Sequence, residues 1–196
     1  MGIFHMIDFT QGAIFYRQQH CQGRNELIAK AIGWKKGLSL SVFDSTAGLG
    51  REAFLLASLG CEMTLFERHP DVFEQLRNAL EKGAGHASIS SIISRMKLIK
   101  GCAIHYLQTQ QFELPDVIYC DPMFPPRTKS AAVKKEMQWL QALVDPDQDA
   151  HELVTLACSK AKKRVVVKSA LTASPLKANP HFSLKARTHR FDIYMV

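Results

Sequence analysis

The chain has 196 residues, of which 46% are hydrophobic and 22% charged, and its formal net charge is +7. This length fits one domain with a substantial core, and no apolar run approaches the roughly 20 residues that span a bilayer. The first residues lack a basic stretch followed by an apolar one, so we expect no secretory signal. Five cysteines without a Cys-x-x-Cys pair and eight histidines without metal-ligand spacing predict neither a disulfide framework nor a metal site. They fit a reducing, cytoplasmic setting.

The excess of positive over negative charge lies entirely in the last third of the chain. Residues 1–126 hold 12 basic and 12 acidic side chains, whereas residues 127–196 hold 13 basic and 6 acidic ones. A basic field of this kind favours an anionic polymer such as nucleic acid as a partner. The alternative is a lysine-rich surface that is merely solvated.

Apolar runs alternate with helical patterns after residue 37. We predict, in chain order, a strand at 38–44, a helix at 51–59, a strand at 62–67, a helix at 70–82 ended by Gly83, strands at 96–100 and 116–120, helices at 130–143 and 147–160, a strand at 164–168, and a terminal antiparallel pair at 182–186 and 191–196. This alternation predicts a mostly parallel α/β sheet with helices on both faces and an antiparallel strand at its carboxyl-terminal end. We assign residues 38–196 to this domain and expect residues 1–37 to cover the sheet edge or line the substrate entrance.

A glycine loop follows the first predicted strand, with the sequence Asp-Ser-Thr-Ala-Gly-Leu-Gly at 44–50. Gly48 and Gly50 permit a tight turn and a close approach of the backbone to a ligand, and the next helix points its amino end there. Glu67 ends the second strand, where a carboxylate can accept hydrogen bonds from ribose hydroxyls. The pattern predicts a nucleotide-type cofactor, and its spacing alone leaves S-adenosylmethionine (SAM) and a nicotinamide cofactor both open.

A second motif, Asp-Pro-Met-Phe, follows the buried strand at 116–120. An exocyclic amine of a nucleobase is a poor nucleophile because its lone pair is delocalised into the ring. Asp121 and the Pro122 carbonyl can each accept an N–H hydrogen bond from such an amine, and Phe124 can stack on the base. Since Asp44, Glu67 and Asp121 all end predicted strands, we expect them at one edge of the sheet. Together the two motifs predict an amino-group methyltransferase.

Other functions stay open on the residues alone. The same chemistry could act on adenine in nucleic acid or on a glutamine side chain of a protein. A nicotinamide-dependent oxidoreductase would use the glycine loop but not Phe124. A non-catalytic RNA-binding assembly factor could keep the fold without transferring a methyl group.

Six motifs in this order resemble the bacterial 16S rRNA guanine(1516)-N2 methyltransferase family (RsmJ type). They are the loop at 44–50 with its continuation Arg-Glu-Ala-Phe, Leu-Phe-Glu-Arg-His-Pro at 65–70, Asp-Pro-Met-Phe-Pro at 121–125, Lys-Ser-Ala-Ala-Val-Lys-Lys-Glu-Met at 129–137, Arg-Val-Val-Val-Lys at 164–168 and His-Arg-Phe-Asp-Ile-Tyr at 189–194. The likeness runs from about Gly2 to the last residue. Members of the family usually carry a further amino-terminal segment of several dozen residues before that point.

The resemblance implies a class I methyltransferase fold with a Rossmann-like sheet, SAM as cofactor, and 16S rRNA or the small ribosomal subunit as partner. It implies methyl transfer to the N2 amine of a guanine. Its cofactor positions match Arg51, Glu52, Glu67, Arg68, Cys102, Ala103 and Asp121, beside the loop residues Asp44, Gly48 and Gly50. The family commonly has Ser-Ser at 102–103. A cofactor contact through the backbone would survive that difference, whereas one through a serine hydroxyl would not.

Basic residues near the second motif are candidates for RNA contacts. They are Lys129, Lys134, Lys135, Lys168 and Arg190. The lysines directly after the motif would position RNA through its phosphates without reading sequence. An exposed helix face is the alternative for each of these three lysines. Lys168 ends a predicted strand and is a better candidate for the site, whereas a turn before the last strand is the alternative for Arg190.

Overall fold

The structure, a computed structural model, describes residues 7–23, 25–123, 143 and 147–196. Its centre is one sheet of seven strands in the order β3-β2-β1-β4-β5-β7-β6. The strands are β1 (Ser41–Asp44), β2 (Glu62–Glu67), β3 (Met96–Lys100), β4 (Val117–Cys120), β5 (Arg164–Ala170), β6 (Phe182–Lys185) and β7 (His189–Met195). Strands β1 to β5 pair in parallel, and β7 runs antiparallel to both β5 and β6. The predicted α/β fold and the antiparallel terminal pair are confirmed.

Helices lie on both faces of the sheet. Those in the described residues are α1 (Gly12–Gln19), α2 (Leu27–Ala31), α3 (Arg51–Ser58), α4 (Pro70–Ala84), α5 (Ser90–Ile93), α6 (Ala103–Thr109) and α7 (Ala150–Lys160). Successive strand residues point to opposite faces, so the sheet separates two hydrophobic cores. In β4, Val117 and Tyr119 face the core under α2 to α5, whereas Ile118 and Cys120 face the core under α6 and α7.

The first residues of the described chain belong to the larger core. Phe9 is fully buried and its ring stacks on that of Phe54 in α3, with centroids 4.6 Å apart. Arg17 of α1 pairs with Glu26 at 2.7 Å and with Glu52 at 3.4 Å. Helix α1 therefore lies beside the first turn of α3, on the side where the glycine loop ends. The domain boundary at residue 37 stays a prediction.

One predicted helix end is wrong, for a steric reason. We expected Gly83 just past the end of the helix, but α4 continues through it to Ala84. A Cβ atom at Gly83 would lie 3.0 Å from two side-chain atoms of Ile93. The glycine therefore lets α4 approach α5 closely instead of ending the helix.

The other predicted elements differ from the observed ones mainly at their ends. The strand expected from Leu38 begins at Ser41, and the helix expected from Asp147 begins at Ala150. The short helices α1, α2, α5 and α6 were not predicted. The helix predicted at 130–143 lies outside the described residues except for Leu143.

Candidate active site

The carboxyl ends of the parallel strands surround a cavity of about 330 Å³. Its lining includes all of the predicted cofactor residues and Lys168. They are Asp44, Gly48, Gly50, Arg51, Glu52, Glu67, Arg68, Cys102, Ala103 and Asp121. The cavity lies where we expected it, at the sheet edge formed by the carboxyl ends of the parallel strands. The contacts of its residues with a cofactor stay a prediction.

The glycine loop turns sharply between β1 and α3. Gly50 has a φ of +65°, and a Cβ there would lie 2.7 Å from Leu76 Cδ1 and 3.3 Å from Phe9 Cζ. Only glycine combines this backbone conformation with so little space. Gly48 donates its backbone N–H to Glu67 Oε2 at 2.8 Å, which ties the loop to the end of β2.

Glu67 is a buried carboxylate with a fixed orientation. Its second oxygen, Oε1, accepts a hydrogen bond from the His69 backbone N–H at 2.7 Å. Burial raises the pKa of Glu67, and these backbone hydrogen bonds oppose that rise. The glycine loop binds Oε2 and the backbone after β2 binds Oε1. The remaining lone pairs of the carboxylate are suited to accept hydroxyl hydrogens from a ligand.

Asp44 is a second buried carboxylate at the cavity. It is only 2% exposed and accepts a hydrogen bond from the Thr46 backbone N–H at 3.2 Å. Burial raises the pKa of Asp44 to about 7, and the negative charges of Asp121, Glu52 and Glu67 add to the rise. A cavity with this cluster of carboxylates fits a ligand that brings positive charge, because a cation would offset their mutual repulsion. SAM, with its sulfonium and ammonium groups, is such a ligand.

Direct hydrogen bonds join the glycine loop to the end of β4 and to Asp121, which begins the Asp-Pro-Met-Phe motif. The Asp121 backbone N–H donates to Thr46 Oγ1 at 2.7 Å. The Ser45 hydroxyl donates to the Tyr119 carbonyl at 2.8 Å. These links hold Asp121 at a fixed place beside the glycine loop. Sequence reasoning missed Ser45 and Thr46 because a hydroxyl inside a glycine loop gives no signal of a partner some 75 positions away.

Asp121 forms an ion pair with Lys168 at the cavity. Lys168 Nζ donates to Asp121 Oδ2 at 2.7 Å, with the two side chains 26% and 33% exposed. Pro122 follows as a buried residue. Phe124 and the lysine candidates Lys129, Lys134 and Lys135 lie outside the described residues.

A cluster of ion pairs that lines the same cavity was also not predicted from the sequence. Arg68 pairs with Asp147 and, at 2.6 Å, with Asp149. Asp147 in turn accepts the Met123 backbone N–H at 2.6 Å and donates its own backbone N–H to the Met123 carbonyl at 3.0 Å. Arg68 thereby fixes the backbone directly after the Asp121-Pro122 pair. The alternating aspartates at 145, 147 and 149 were the available sequence signal.

Arg190, one of the candidates for an RNA contact, makes hydrogen bonds within the protein, and its contact with RNA stays a prediction. It is buried, and its Nε donates to Asp192 Oδ1 at 2.8 Å. Its Nη1 donates to the carbonyls of Ala170 and Leu171 at 2.7 and 3.0 Å. The guanidinium therefore ties β7 to the end of β5.

The described part of the chain offers neither a metal centre nor a membrane span. Residues 7–23, 25–123, 143 and 147–196 contain no cluster of three or more His, Cys, Asp or Glu side chains arranged to hold a metal ion. Within the same ranges, every helix is too short or too polar to cross a membrane.

Comparison with known proteins shows the family of this chain. A family described as "Putative SAM-dependent methyltransferase" matches residues 3–196. Proteins named ribosomal RNA small subunit methyltransferase J are similar over nearly the whole chain. The protein from Proteus mirabilis is 47% identical over 195 residues, which cover 98% of this chain and 77% of that protein. The one from Thioalkalivibrio sulfidiphilus is 46% identical over 191 residues, 96% of this chain and 75% of its own.

The chain belongs to the ribosomal RNA small subunit methyltransferase J family. As a member of this family it is a SAM-dependent methyltransferase. A crystal structure of the SAM-dependent methyltransferase from Neisseria gonorrhoeae superimposes with a TM-score of 0.74 at 34% identity, covering 96% of this chain and 73% of that one. The family resemblance found in the motifs is confirmed, as are the enzyme class and the cofactor.

Proposed function

We propose that this enzyme transfers the methyl group of SAM to the N2 amine of a guanine in 16S rRNA. The proposal is supported by the family membership and by one observation above all. Asp121 ends β4 inside the cofactor cavity, with its backbone held by Thr46 of the glycine loop at 2.7 Å. A hydrogen-bond acceptor at this place is suited to present an amine to the cofactor.

The residues contribute by orienting the amine and by accepting charge. When bound, SAM would supply an electrophilic methyl group on a sulfonium, whose sulfur–methyl bond breaks on transfer and leaves a neutral thioether. Asp121 accepts one N–H hydrogen of the amine and the Pro122 carbonyl accepts the other, which turns the nitrogen lone pair towards the methyl group. As the N–C bond forms, positive charge develops on nitrogen, and the Asp121 carboxylate stabilises it. The extra proton on nitrogen then leaves through Asp121 to water.

Phe124 and three lysines complete the proposed substrate side. Phe124 would stack on the target base, worth about 1–3 kcal/mol. Lys129, Lys134 and Lys135 would contact RNA phosphates, which position the strand without reading its sequence. Because base chemistry needs the base outside its stack, the target guanine is expected to be splayed into the cavity.

We also propose a cytoplasmic location for this reaction. All five cysteines are free thiols, and Cys61 and Cys120 are buried as small core residues. Free thiols fit a reducing compartment.

Methyl transfer from labelled SAM tests the proposed function. The acceptors are 16S rRNA and 30S particles from cells that lack the endogenous enzyme, and the product is identified by nucleoside mass spectrometry. We expect N2-methylguanosine at one site. Asp121→Asn should lower kcat by about 100- to 1,000-fold, because the charged acceptor is removed. Glu113→Gln changes a carboxylate that is 90% exposed and should have no effect. Methylated adenine, or RNA binding without methyl transfer, would contradict the proposal.

A further inference from the structure

Lys168 lines the cofactor cavity but has no part in the reaction proposed above. Two lysine–aspartate pairs flank strands β4 and β5, one at each end. Lys163 and Asp116 pair at 2.8 Å at the amino ends, where the lysine is 50% exposed. Lys168 and Asp121 pair at 2.7 Å at the carboxyl ends, where the lysine is 26% exposed and lines the cavity. Of these two pairs, the second adjoins the place where the target base must enter.

The surroundings of Lys168 keep it charged. Burial alone would lower the pKa of Lys168, but the negative charges of Asp121, Glu52 and Asp44 raise it above its usual value. His189 also faces the lysine, and burial together with the Lys168 charge lowers the pKa of that imidazole. An ammonium has three hydrogens to donate, and Asp121 Oδ2 takes one of them. Within the described residues no second acceptor contacts this ammonium, so the other two hydrogens can be donated to a ligand in the cavity.

The order of acceptor and donor in this pair matches one edge of guanine. The Watson–Crick edge of guanine presents the N2 amine, the N1–H and the O6 carbonyl oxygen, that is, two donors followed by one acceptor. Asp121 followed by Lys168 presents two carboxylate oxygens followed by one donor. Adenine has an acceptor at N1 and an amine in place of O6, so it would face the pair with the opposite order.

We propose that Lys168 donates a hydrogen bond to O6 of the target guanine while Asp121 accepts from N1–H and N2–H, so that the pair selects guanine. This inference rests on the proposed function and adds a specificity-determining residue to it. Two other roles are possible for a lysine here. It could merely hold Asp121 in place, or it could contact an RNA phosphate.

A variant combined with a substrate analogue separates these roles. We would place guanine or 2-aminopurine at the methylated position of 16S rRNA, assemble 30S particles, and measure kcat and KM of methyl transfer in the steady state at two salt concentrations. 2-Aminopurine keeps the N2 amine but lacks O6 and the N1 hydrogen. Lys168→Met should lower kcat/KM on guanine about 10- to 100-fold, because a charged hydrogen bond is removed, and lower it less than about 3-fold on 2-aminopurine. Lys168→Arg, which keeps a donor, should restore much of the preference for guanine.

The control is Lys163→Met, the lysine of the other pair on the same two strands. It should leave both substrates unchanged. Equal losses on guanine and 2-aminopurine with Lys168→Met would overturn the proposal in favour of a role in holding Asp121. A rise in KM alone that depends on salt would overturn it in favour of phosphate contact. SAM binding by calorimetry checks that the variants keep the cofactor cavity. If the unaltered enzyme methylates no guanine, the proposed function itself fails, which is a different result.

Discussion

Asp44 illustrates how a single residue can be unfavourable for the cofactor-free protein and suited to the bound one. Its carboxylate is buried at the end of β1, and three other carboxylates raise its pKa further. Folding therefore favours the protonated form, while a cationic cofactor would favour the ionised form. We therefore expect Asp44 to favour binding of a cationic cofactor and to lower the stability of the cofactor-free protein.

The raised pKa of Asp44 predicts that the free energy of unfolding of the cofactor-free enzyme depends on pH. Folded Asp44 keeps its proton up to about pH 7, whereas the unfolded residue releases it near 3.8, so the folded state binds more protons between these values. Its contribution to the free energy of unfolding must fall as the pH rises through this window, by at most about 1.4 kcal/mol per pH unit, and be constant above it. Asp44→Asn should lack this component.

Urea unfolding of both proteins at pH 5, 6, 7 and 8 measures the effect. The stability difference between the Asn variant and the original protein should grow in favour of the variant up to about pH 7. A difference that is the same at every pH would show that Asp44 does not titrate in this range.

At the scale of residues, the sequence predicted strand-end side chains and missed their partners. Asp44, Glu67 and Asp121 were found because a parallel sheet puts its strand ends at one edge. Thr46 and Asp147 were missed, since their contacts join segments that lie far apart in the chain. Such contacts depend on how loops cross the sheet edge, which no local pattern encodes.

The glycine loop is the element on which the cofactor cavity depends most directly. Gly50→Ala should destabilise the protein by about 1–3 kcal/mol, because the new methyl group meets Leu76 at 2.7 Å and the backbone has a positive φ. It should also weaken SAM binding, since relief of the clash shifts the loop. Thermal unfolding and calorimetric titration with SAM measure the two effects.

Gly37→Ala is the matched control. Gly37 also has a positive φ, of +83°, but an added Cβ there meets nothing within 4 Å. It should show the backbone cost while SAM affinity stays unchanged. Equal weakening of SAM binding in both variants would mean that the steric contact at Gly50 does not matter.

The segment after β4 depends on Asp147, which binds both the Arg68 side chain and the Met123 backbone. Asp147→Asn should lower kcat about 10-fold, because the backbone that follows the Asp121-Pro122 pair is deprived of its charged anchor. Asp149→Asn weakens the ion pair with Arg68 alone and should have a much smaller effect. Steady-state methylation assays compare the two variants, and an equal decrease in both would assign the effect to Arg68 instead.

At the scale of elements, regular strands and long helices were predictable and short helices were not. Strands β2 and β3 have the predicted bounds because each is a short run with a mostly apolar interior that ends at a charged residue, Glu67 and Lys100. Helices α2 and α5 have five and four residues, too few for an amphipathic pattern to appear. They form because tertiary packing holds them, as with Ile28 and Ile92 in the larger core.

At the scale of the whole molecule, the amino-terminal residues share their core with the sheet. Phe9→Ala should lower the free energy of unfolding by about 3–5 kcal/mol, because a fully buried ring that stacks on Phe54 is removed. The unfolding transition should remain single. Denaturant titration monitored by circular dichroism and fluorescence measures both. A separate early transition in the variant would instead show that the residues before 37 unfold on their own.

The overall class of the protein was accessible from patterns spread along the chain. The alternation of strands and helices predicted the sheet, and the order of six motifs predicted the family to which the chain belongs. Helices on both faces were predicted, but the division of the helices between the two cores was not. That division requires knowing which face of β4 and β5 each helix covers, and that follows only from the crossovers.

The hydrogen bond from Asp121 to Thr46 has a consequence for inhibition. A small molecule that fills the cofactor cavity and displaces Thr46 would also shift the backbone of Asp121, since the two are joined at 2.7 Å. Such a compound would weaken the binding of the target guanine by Asp121 without contacting the guanine. Two inhibitors that compete equally well with SAM for the cavity would therefore differ in their effect on RNA binding if only one of them displaces Thr46.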